Sequence, residues 1–441
     1  MPPFAFQPPR CLVSADGTGG DMAGEAASGS LPVAVIGAGV VGMATARALQ
    51  RAGRAVVVLD GEAPGRKTSF GNAGFIAIDH VLPLCRPDVL RRVPKMLRDA
   101  DGPLTIHLPS LIWLLPWMTR FALAARDSEV RKGVDAFGAL METANISWKS
   151  EIQASGLGEL FRSCGALYVY ETEAGFESGA RERALQAAKG TAMEIVDGDR
   201  ARELAPGLAA HIVKGVFYPH GMHTVSPYHV VTALAERFVA EGGRMEKAMV
   251  SGFDVAGDRV TAVRTAAGVT PVAAVAICAG RASGDVTRHL RFRAPLVAER
   301  GYHVMVEPTN VRFELPVSPA ERGFFITPMR EGLRLAGTVE LGAPDKPPSW
   351  RRADLLVKHL KDIFPGVGGA ETSRWMGERP SLPDFRPAIG RAPHHRNVYC
   401  GYGHQHVGLT LATATGRLIA QMMDGEALPP ALAGCDPGRF G

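Results

Sequence analysis

The stretch Val33-Ala34-Val35-Ile36-Gly37-Ala38-Gly39-Val40-Val41-Gly42, continued through Gln50 to Ala55-Val56-Val57-Val58-Leu59-Asp60, decides the fold. An apolar strand, a glycine turn, a helix-forming run and a second apolar strand ending in an acid form one strand-turn-helix-strand unit, the dinucleotide-binding fingerprint. Gly37 permits the tight turn, Gly39 lets backbone approach a pyrophosphate, and Gly42 lets helix and strand pack closely. The N–H groups of Val40, Val41 and Gly42 open the helix, where orphan donors and the helix dipole favour phosphate. Asp60 is placed to accept hydrogen bonds from ribose hydroxyls, and an acid there favours FAD or NAD over NADP. A lone G-x-G-x-x-G also fits an ordinary turn; here strand, helix and terminal acid all fall where nucleotide binding needs them.

The whole chain of 441 residues is long enough for two or three domains. A formal charge of +5 without a Lys/Arg block argues against nucleic acid as a partner. Six cysteines without C-x-x-C or zinc spacing fit a reducing, cytoplasmic setting. Residues 1–30, rich in Gly, Pro, Ala and Ser, lack the basic and apolar regions of a signal peptide and read as a disordered extension or a misassigned start ahead of Met22. Leu104 to Ala125 has membrane character, but Pro109, Pro116 and Arg120 interrupt it. Two readings stand for it: an amphipathic helix covering the interior, or a peripheral contact with the inner membrane face through Trp113, Leu114, Trp117 and Phe121.

The remaining pattern predicts an α/β protein with a Rossmann-like nucleotide domain and a discontinuous α+β substrate domain built on an antiparallel sheet. The nucleotide domain is expected over 31–80, 191–284 and 370–430, the substrate domain over 81–190 and 285–369, and a tail over 431–441. Ser226 and Pro227 predict the capped start of a helix reaching Ala240. Val272 to Gly280 reads as a buried strand whose Ala279-Gly280 end closes against a cofactor. Tyr302 to Glu307, Gly323 to Thr327 and Leu333 to Glu340 alternate as antiparallel strands do. A last strand, Asn397 to Cys400, leads through Gly403-His404-Gln405-His406-Val407-Gly408 into a helix from Leu409 to Met423. His404 and His406, without acidic or cysteine partners, make a poor metal site, and no metal is expected.

The order of the fingerprint, Thr68-Ser69-Phe70-Gly71-Asn72-Ala73-Gly74, the Ile277 to Gly280 strand end, Arg379-Pro380-Ser381-Leu382-Pro383-Asp384 and the Gly403 to Gly408 loop resembles D-amino-acid-oxidase-like flavoproteins, above all D-amino-acid dehydrogenases. The resemblance spans Leu31 to about Gly425 and implies FAD. Thr68, Ser69, Asn72, Ala73 and Gly74 would then meet the flavin edge, with an N-cap and turn as the alternative reading of that loop. Gly403, Gly408, Leu409 and Thr410 would hold the flavin at a helix N-terminus. Covalently flavinylated members use a cysteine just upstream of the Pro-Asp pair; Gly377, Glu378 and Arg379 stand there instead, so the FAD is expected to be non-covalent.

Resemblance also implies that Arg379 grips a substrate carboxylate, a task suited to a planar guanidinium; a salt bridge to Asp384 or Glu378 is the alternative. Tyr302 is either substrate-facing or a core tyrosine, and His404 either a polar active-site contact or a structural histidine. The chemistry implied is hydride transfer from the Cα–H of a D-amino or D-imino acid, such as cis-4-hydroxy-D-proline, to flavin N5. The imine formed hydrolyses to a 2-oxo acid. Alternatives are a sarcosine- or glycine-type oxidase, a flavin-binding subunit of a heteromeric dehydrogenase, or an NAD-dependent enzyme. The electron acceptor would be a quinone or another carrier, with O2 the oxidase alternative.

Overall fold

The computed structural model describes residues 31–78, 82–307, 309–342 and 346–440; the expectations for residues 1–30 lie outside them. Residues from Leu31 onward form one compact unit. Its first sheet has six strands. Arg244–Lys247, Val56–Asp60, Val33–Ile36, Ala274–Ile277 and Val398–Tyr402 run parallel in that order, and Ala388–Arg391 closes the edge antiparallel. Val33–Ile36 and Ala274–Ile277 are buried throughout, as expected of parallel strands covered on both faces. The fingerprint helix, Val40–Arg51, and the last long helix, Gly408–Met423, cover one face together. They approach so closely that a Cβ on Gly416 would lie 2.7 Å from the Ala44 carbonyl oxygen.

The helix after Ser226 forms as its cap predicts: Pro227–Ala240, with the Ser226 hydroxyl accepting from the His229 N–H. The strands Val250–Ala256 and Arg259–Thr265 form a small antiparallel sheet with Gly268–Pro271.

A second, nine-stranded mixed sheet carries the antiparallel strands expected of a substrate domain. Its heart is Ala370–Ser381 beside Val297–Glu307, then Leu333–Leu341 and Phe324–Pro328, all antiparallel. Glu194–Asp197, Lys214–Tyr218 and Ala370–Ser381 belong to this sheet, although the sequence pattern groups them with the nucleotide segments. The helix Arg351–Ile363 covers one of its faces through Leu356, Leu360 and Ile363, against Val304, Val306 and Leu335. The segment after Met423 is tied down: Arg439 donates to both carboxylate oxygens of Asp384, at 2.8 and 3.3 Å.

Leu111–Ala124 is a helix with two characters. Leu114 and Trp117 point inward, and the Trp117 indole N–H donates to the Ser381 carbonyl at 3.2 Å. They are therefore not free for a membrane contact, whereas Trp113 is 83% exposed beside exposed Ile112 and Leu115. No single described helix is long and apolar enough to cross a membrane.

Candidate active site

The glycine turn is shaped by contacts that exclude side chains. Gly37 has φ +108, and a Cβ there would lie 2.5 Å from the Cys278 carbonyl oxygen and 2.8 Å from Ala279 Cα. A Cβ on Gly42 would lie 1.8 Å from the Gly37 oxygen. The turn, the helix start and the Cys278-Ala279 segment thus abut, and the strand expected to reach Gly280 ends at Ile277. One Asp60 carboxylate oxygen accepts from the Ala38 N–H at 2.8 Å and the other from the Glu62 N–H at 2.9 Å, holding the acid at the mouth of the turn. The helix N-cap is Gly39, which offers no side-chain cap, and the first turn holds no acid. Such an end favours an anion.

The 68–74 loop links this turn to the large sheet. The Ser69 hydroxyl accepts from the Val40 N–H at 3.0 Å, and the Thr68 hydroxyl donates to the Glu378 carbonyl at 2.7 Å, one residue before Arg379. Asn72 closes an Asx turn by accepting from the Gly74 N–H at 2.8 Å. Cap and turn are thus both present, with Ser69 capping a helix 29 residues away in sequence. Just beyond the loop, the Ala77 N–H donates to the Thr410 hydroxyl at 3.1 Å, joining it to the final helix. Arg334, unanticipated from sequence, donates to the carbonyls of Phe70 and Asn72 at 3.0 and 2.9 Å, and burial lowers its pKa to about 10.

Facing the loop is one side of the strand pair Val297–Glu307 and Ala370–Ser381. Register places Glu299 opposite Arg379, Gly301 opposite Gly377, and His303 opposite Trp375. Arg379 Nη1 donates to Glu299 Oε1 at 2.9 Å and to the Thr338 carbonyl at 3.0 Å. Glu299 Oε2 accepts from the Ser381 hydroxyl at 2.7 Å. The partner of Arg379 is therefore Glu299, neither Asp384 nor Glu378. Asp384 is committed to Arg386 and Arg439, and Glu378 Oε2 lies 3.7 Å from Arg281.

A Cβ on Gly301 would lie 2.3 Å from the Arg379 guanidinium, so the glycine makes room for it. Thr338 sits at a bulge, where it and Val339 oppose Gly301 alone. Its φ of +57 is strained for a β-branched residue, and its buried hydroxyl has no partner. Backbone strain of this kind clusters at functional sites.

Two expected contacts lie elsewhere. Tyr302 is 1% exposed and points to the opposite face of its strand, into the core beneath Arg351–Ile363. Its hydroxyl donates to Glu340 Oε2 at 2.5 Å and accepts from the Ser349 N–H at 2.9 Å, and burial, then Glu340, raise its pKa to about 12. Successive strand residues face opposite ways, so the neighbour His303 takes the site-facing position. His303 stacks on Trp375, with centroids 5.2 Å apart, and its Nδ1 lies 3.4 Å from the Gly71 oxygen. Burial and the Arg334 charge push its pKa down to about 3, so the ring is neutral. His404 is buried with Nε2 2.8 Å from the Thr415 hydroxyl; that hydroxyl donates to the Leu411 carbonyl, so Nε2 carries the proton. It braces the final helix as a neutral structural histidine, its pKa pushed down to about 3 by burial.

Gln405, also missed from sequence, follows it. The residue is 4% exposed at φ +46, and neither oxygen nor nitrogen of its amide has a partner. Gly403, at φ +79, packs on Leu382, where a Cβ would lie 2.3 Å from Cδ1, while a Cβ at Gly408 would make only ordinary contact with His404. The helix beginning at Gly408 has no side-chain cap and no acid in its first turn, and Leu409 is buried there. A buried, unpaired amide beside an uncapped helix start fits the alternating donors and acceptors of a flavin's pyrimidine edge. The collapsed glycine turn fits the adenine dinucleotide half. FAD would thus be held by the Gly37 to Gly42 turn, Asp60, the 68–74 loop and the Gly403 to Thr410 segment. Among the described residues no cluster of three or more His, Cys, Asp or Glu side chains could hold a metal.

Comparison with known proteins gives the family and the cofactor class. The family described as DAO, FAD dependent oxidoreductase, matches residues 32–422. A D-amino-acid oxidase of Bradyrhizobium diazoefficiens is 32% identical, covering 92% of this chain and 98% of that protein. A D-amino acid dehydrogenase of Granulibacter bethesdensis is 28% identical, covering 89% and 96%. Among solved structures, L-proline dehydrogenase from P. horikoshii superposes with TM-score 0.73 at 18% identity, over 93% of this chain and 98% of that one. Glycine oxidase from Bacillus cereus gives 0.68 at 20%, over 90% and 96%. At such identities the structures share the fold. The chain belongs to the DAO family of FAD-dependent oxidoreductases.

Proposed function

We propose that the protein oxidises the Cα–N bond of a D-amino or D-imino acid to an imine, which water converts to a 2-oxo acid. The observation that carries this reading is Arg379. Its guanidinium is only partly exposed, is held through Nη1 by Glu299 and the Thr338 carbonyl, and overlies the bare Gly301. Held by one nitrogen, the fork keeps further donors for a carboxylate. The Bradyrhizobium and Granulibacter relatives, named for D-amino acids, support the D configuration. Non-covalently bound FAD supplies the two-electron sink; the chain's residues bind the carboxylate and fix Cα–H toward it. The described cysteines are all free, and burial raises the pKa of each, which suits a flavin held without a thioether.

Cis-4-hydroxy-D-proline is the imino acid to try first, and a sarcosine- or glycine-type activity is the second reading. The test is anaerobic flavin bleaching by purified protein across D- and L-amino acids, hydroxyproline isomers and sarcosine. Bleaching by D-substrates alone supports the assignment, and bleaching only by sarcosine or glycine replaces it. Failure with every substrate until a second protein is added would favour a subunit of a heteromeric dehydrogenase. Arg379→Ala should retain FAD and lose about 100-fold or more in apparent substrate affinity, the scale for removing one partner of a charged, hydrogen-bonded pair. Wild-type affinity would remove Arg379 from the site.

The acceptor we favour is a quinone or other carrier, reached from the cytoplasmic face of the membrane. The helix Pro87–Arg98, which exposes Arg91, Arg92, Lys95 and Arg98, packs against the strand Leu104–Ile106, from which the chain runs on to exposed Leu108, Ile112, Trp113 and Leu115. A basic helix and apolar tips in one stretch of chain suit an anionic bilayer. Sedimentation with anionic vesicles, lost on Trp113→Ser, checks the contact; rapid reoxidation of the reduced flavin by O2 would replace the carrier.

A further inference from the structure

Gln405 combines two features that each work against stability. Its backbone has φ +46, a region that favours glycine. Its side chain, in a residue 4% exposed, carries an amide whose oxygen and nitrogen both lack a partner among the described residues. A glycine there would remove the strain, and a leucine would bury no orphan polar atoms. Backbone strain and unpaired buried groups persist where function uses them.

The chain around Gln405 is held firmly. The Val407 N–H donates to the His404 carbonyl at 3.0 Å, closing the turn that leads into Gly408–Met423. The buried Trp148 indole N–H donates to the carbonyls of Leu409 and Thr410, at 3.1 and 2.9 Å, and so fixes the first turn of that helix. With no side-chain cap and no acid in its first turn, this helix start favours negative charge. The residue before Gln405 supplies no cation, since His404 is neutral and hydrogen-bonded to Thr415.

We infer that, in the FAD-loaded protein, the Gln405 amide pairs with the flavin's pyrimidine edge and holds the reduced ring more tightly than the oxidised one. A carboxamide presents a donor and an acceptor side by side, the complement of the ring's N3–H and C2 carbonyl. Hydride arriving at N5 leaves negative charge on N1 and that carbonyl. The bond from the amide N–H, neutral to neutral in the oxidised state, then becomes charge-assisted. Gln405 thus raises the reduction potential and makes the flavin a stronger oxidant. This role rests on FAD as the cofactor, and on neither the substrate nor Arg379.

The test needs no substrate. The reduction potential of bound FAD is measured against redox dyes in the wild type, Gln405→Leu and Gln405→Gly. Both variants should hold reduced FAD about tenfold less tightly relative to oxidised FAD, the scale of a hydrogen bond to a charged group, which lowers the two-electron potential by about 30 mV. Gln405→Gly, free of strain at this φ, carries the test if the leucine variant does not fold. A variant that releases FAD is titrated as apoprotein with oxidised and with reduced FAD, which gives the same ratio. A raised ratio, or an unchanged one with both states weakened equally, overturns the role. Failure of every amino acid to bleach the flavin would unseat the proposed function and leave this ratio untouched.

Discussion

The glycine turn and the substrate-facing sheet are built on opposite principles. In the turn, every functional property is a backbone property: N–H groups, a positive φ at Gly37, and a carbonyl 1.8 Å from where a Gly42 Cβ would sit. On the sheet, function depends on which side chains share a face and on what lies opposite in a strand seventy or more residues away. The first kind of site tolerates almost no substitution, and its absence of side chains shows in the sequence as glycines. The second depends on pairing register, where a displacement of one residue exchanges a core tyrosine for a site histidine.

The largest effect should follow from breaking the turn. Gly42→Ala places a methyl against backbone that cannot yield, so the purified variant should lose its FAD. Absorbance near the flavin bands reads this directly, and wild-type FAD content would show that the turn is less constrained than its geometry implies.

Acid should act next, and outside the turn. His303 and His404 are held down at about 3, and His223 at about 4, in each case with burial the largest cause, whereas Val33 to Asp60 contains no histidine. Between the unfolded value near 6.5 and these folded values, the unfolded chain binds protons that the native protein refuses. Stability is therefore lost as pH falls through that window, by up to about 1.4 kcal/mol per pH unit for each histidine. Denaturant midpoints at pH 7 and pH 4.5 measure it, and equal midpoints would contradict the neutral, buried assignments.

The smallest effect sharpens the contrast within one strand. Tyr302→Phe removes the bond to Glu340 and the acceptor for the Ser349 N–H, which should cost about 1–3 kcal/mol of stability and leave substrate affinity within about twofold of wild type. A large rise in KM with stability unchanged would return Tyr302 to the substrate site.

The sequence read differently well in the two regions. The strand, turn, helix and acid of Val33 to Asp60, the Ser226-Pro227 helix start and the final helix were legible because each is specified by neighbours within a few residues: caps, glycines and apolar periodicity. On the sheet, alternation marked Tyr302 to Glu307 as a strand without saying which alternate face met the cofactor loop. Glu299, His303, Arg334, Thr338 and Trp375 were missed for that reason. A partial signal existed in Gly301 and Gly377, since glycine inside a strand marks a close approach, but only register shows that the two face each other.

The sequence alone therefore determined the dinucleotide-binding turn and the order of the elements around it, because backbone-defined motifs are local, while FAD in place of NAD came from the resemblance of the whole set of motifs to the family. Tertiary structure alone decided that Arg379 is paired with Glu299, that Tyr302 and His404 belong to the interior, and that Ser69 caps a helix 29 residues before it. Those are contacts between distant segments, settled when two sheets and a loop bury their apolar faces together and each buried polar group must find the partner that packing brings within reach.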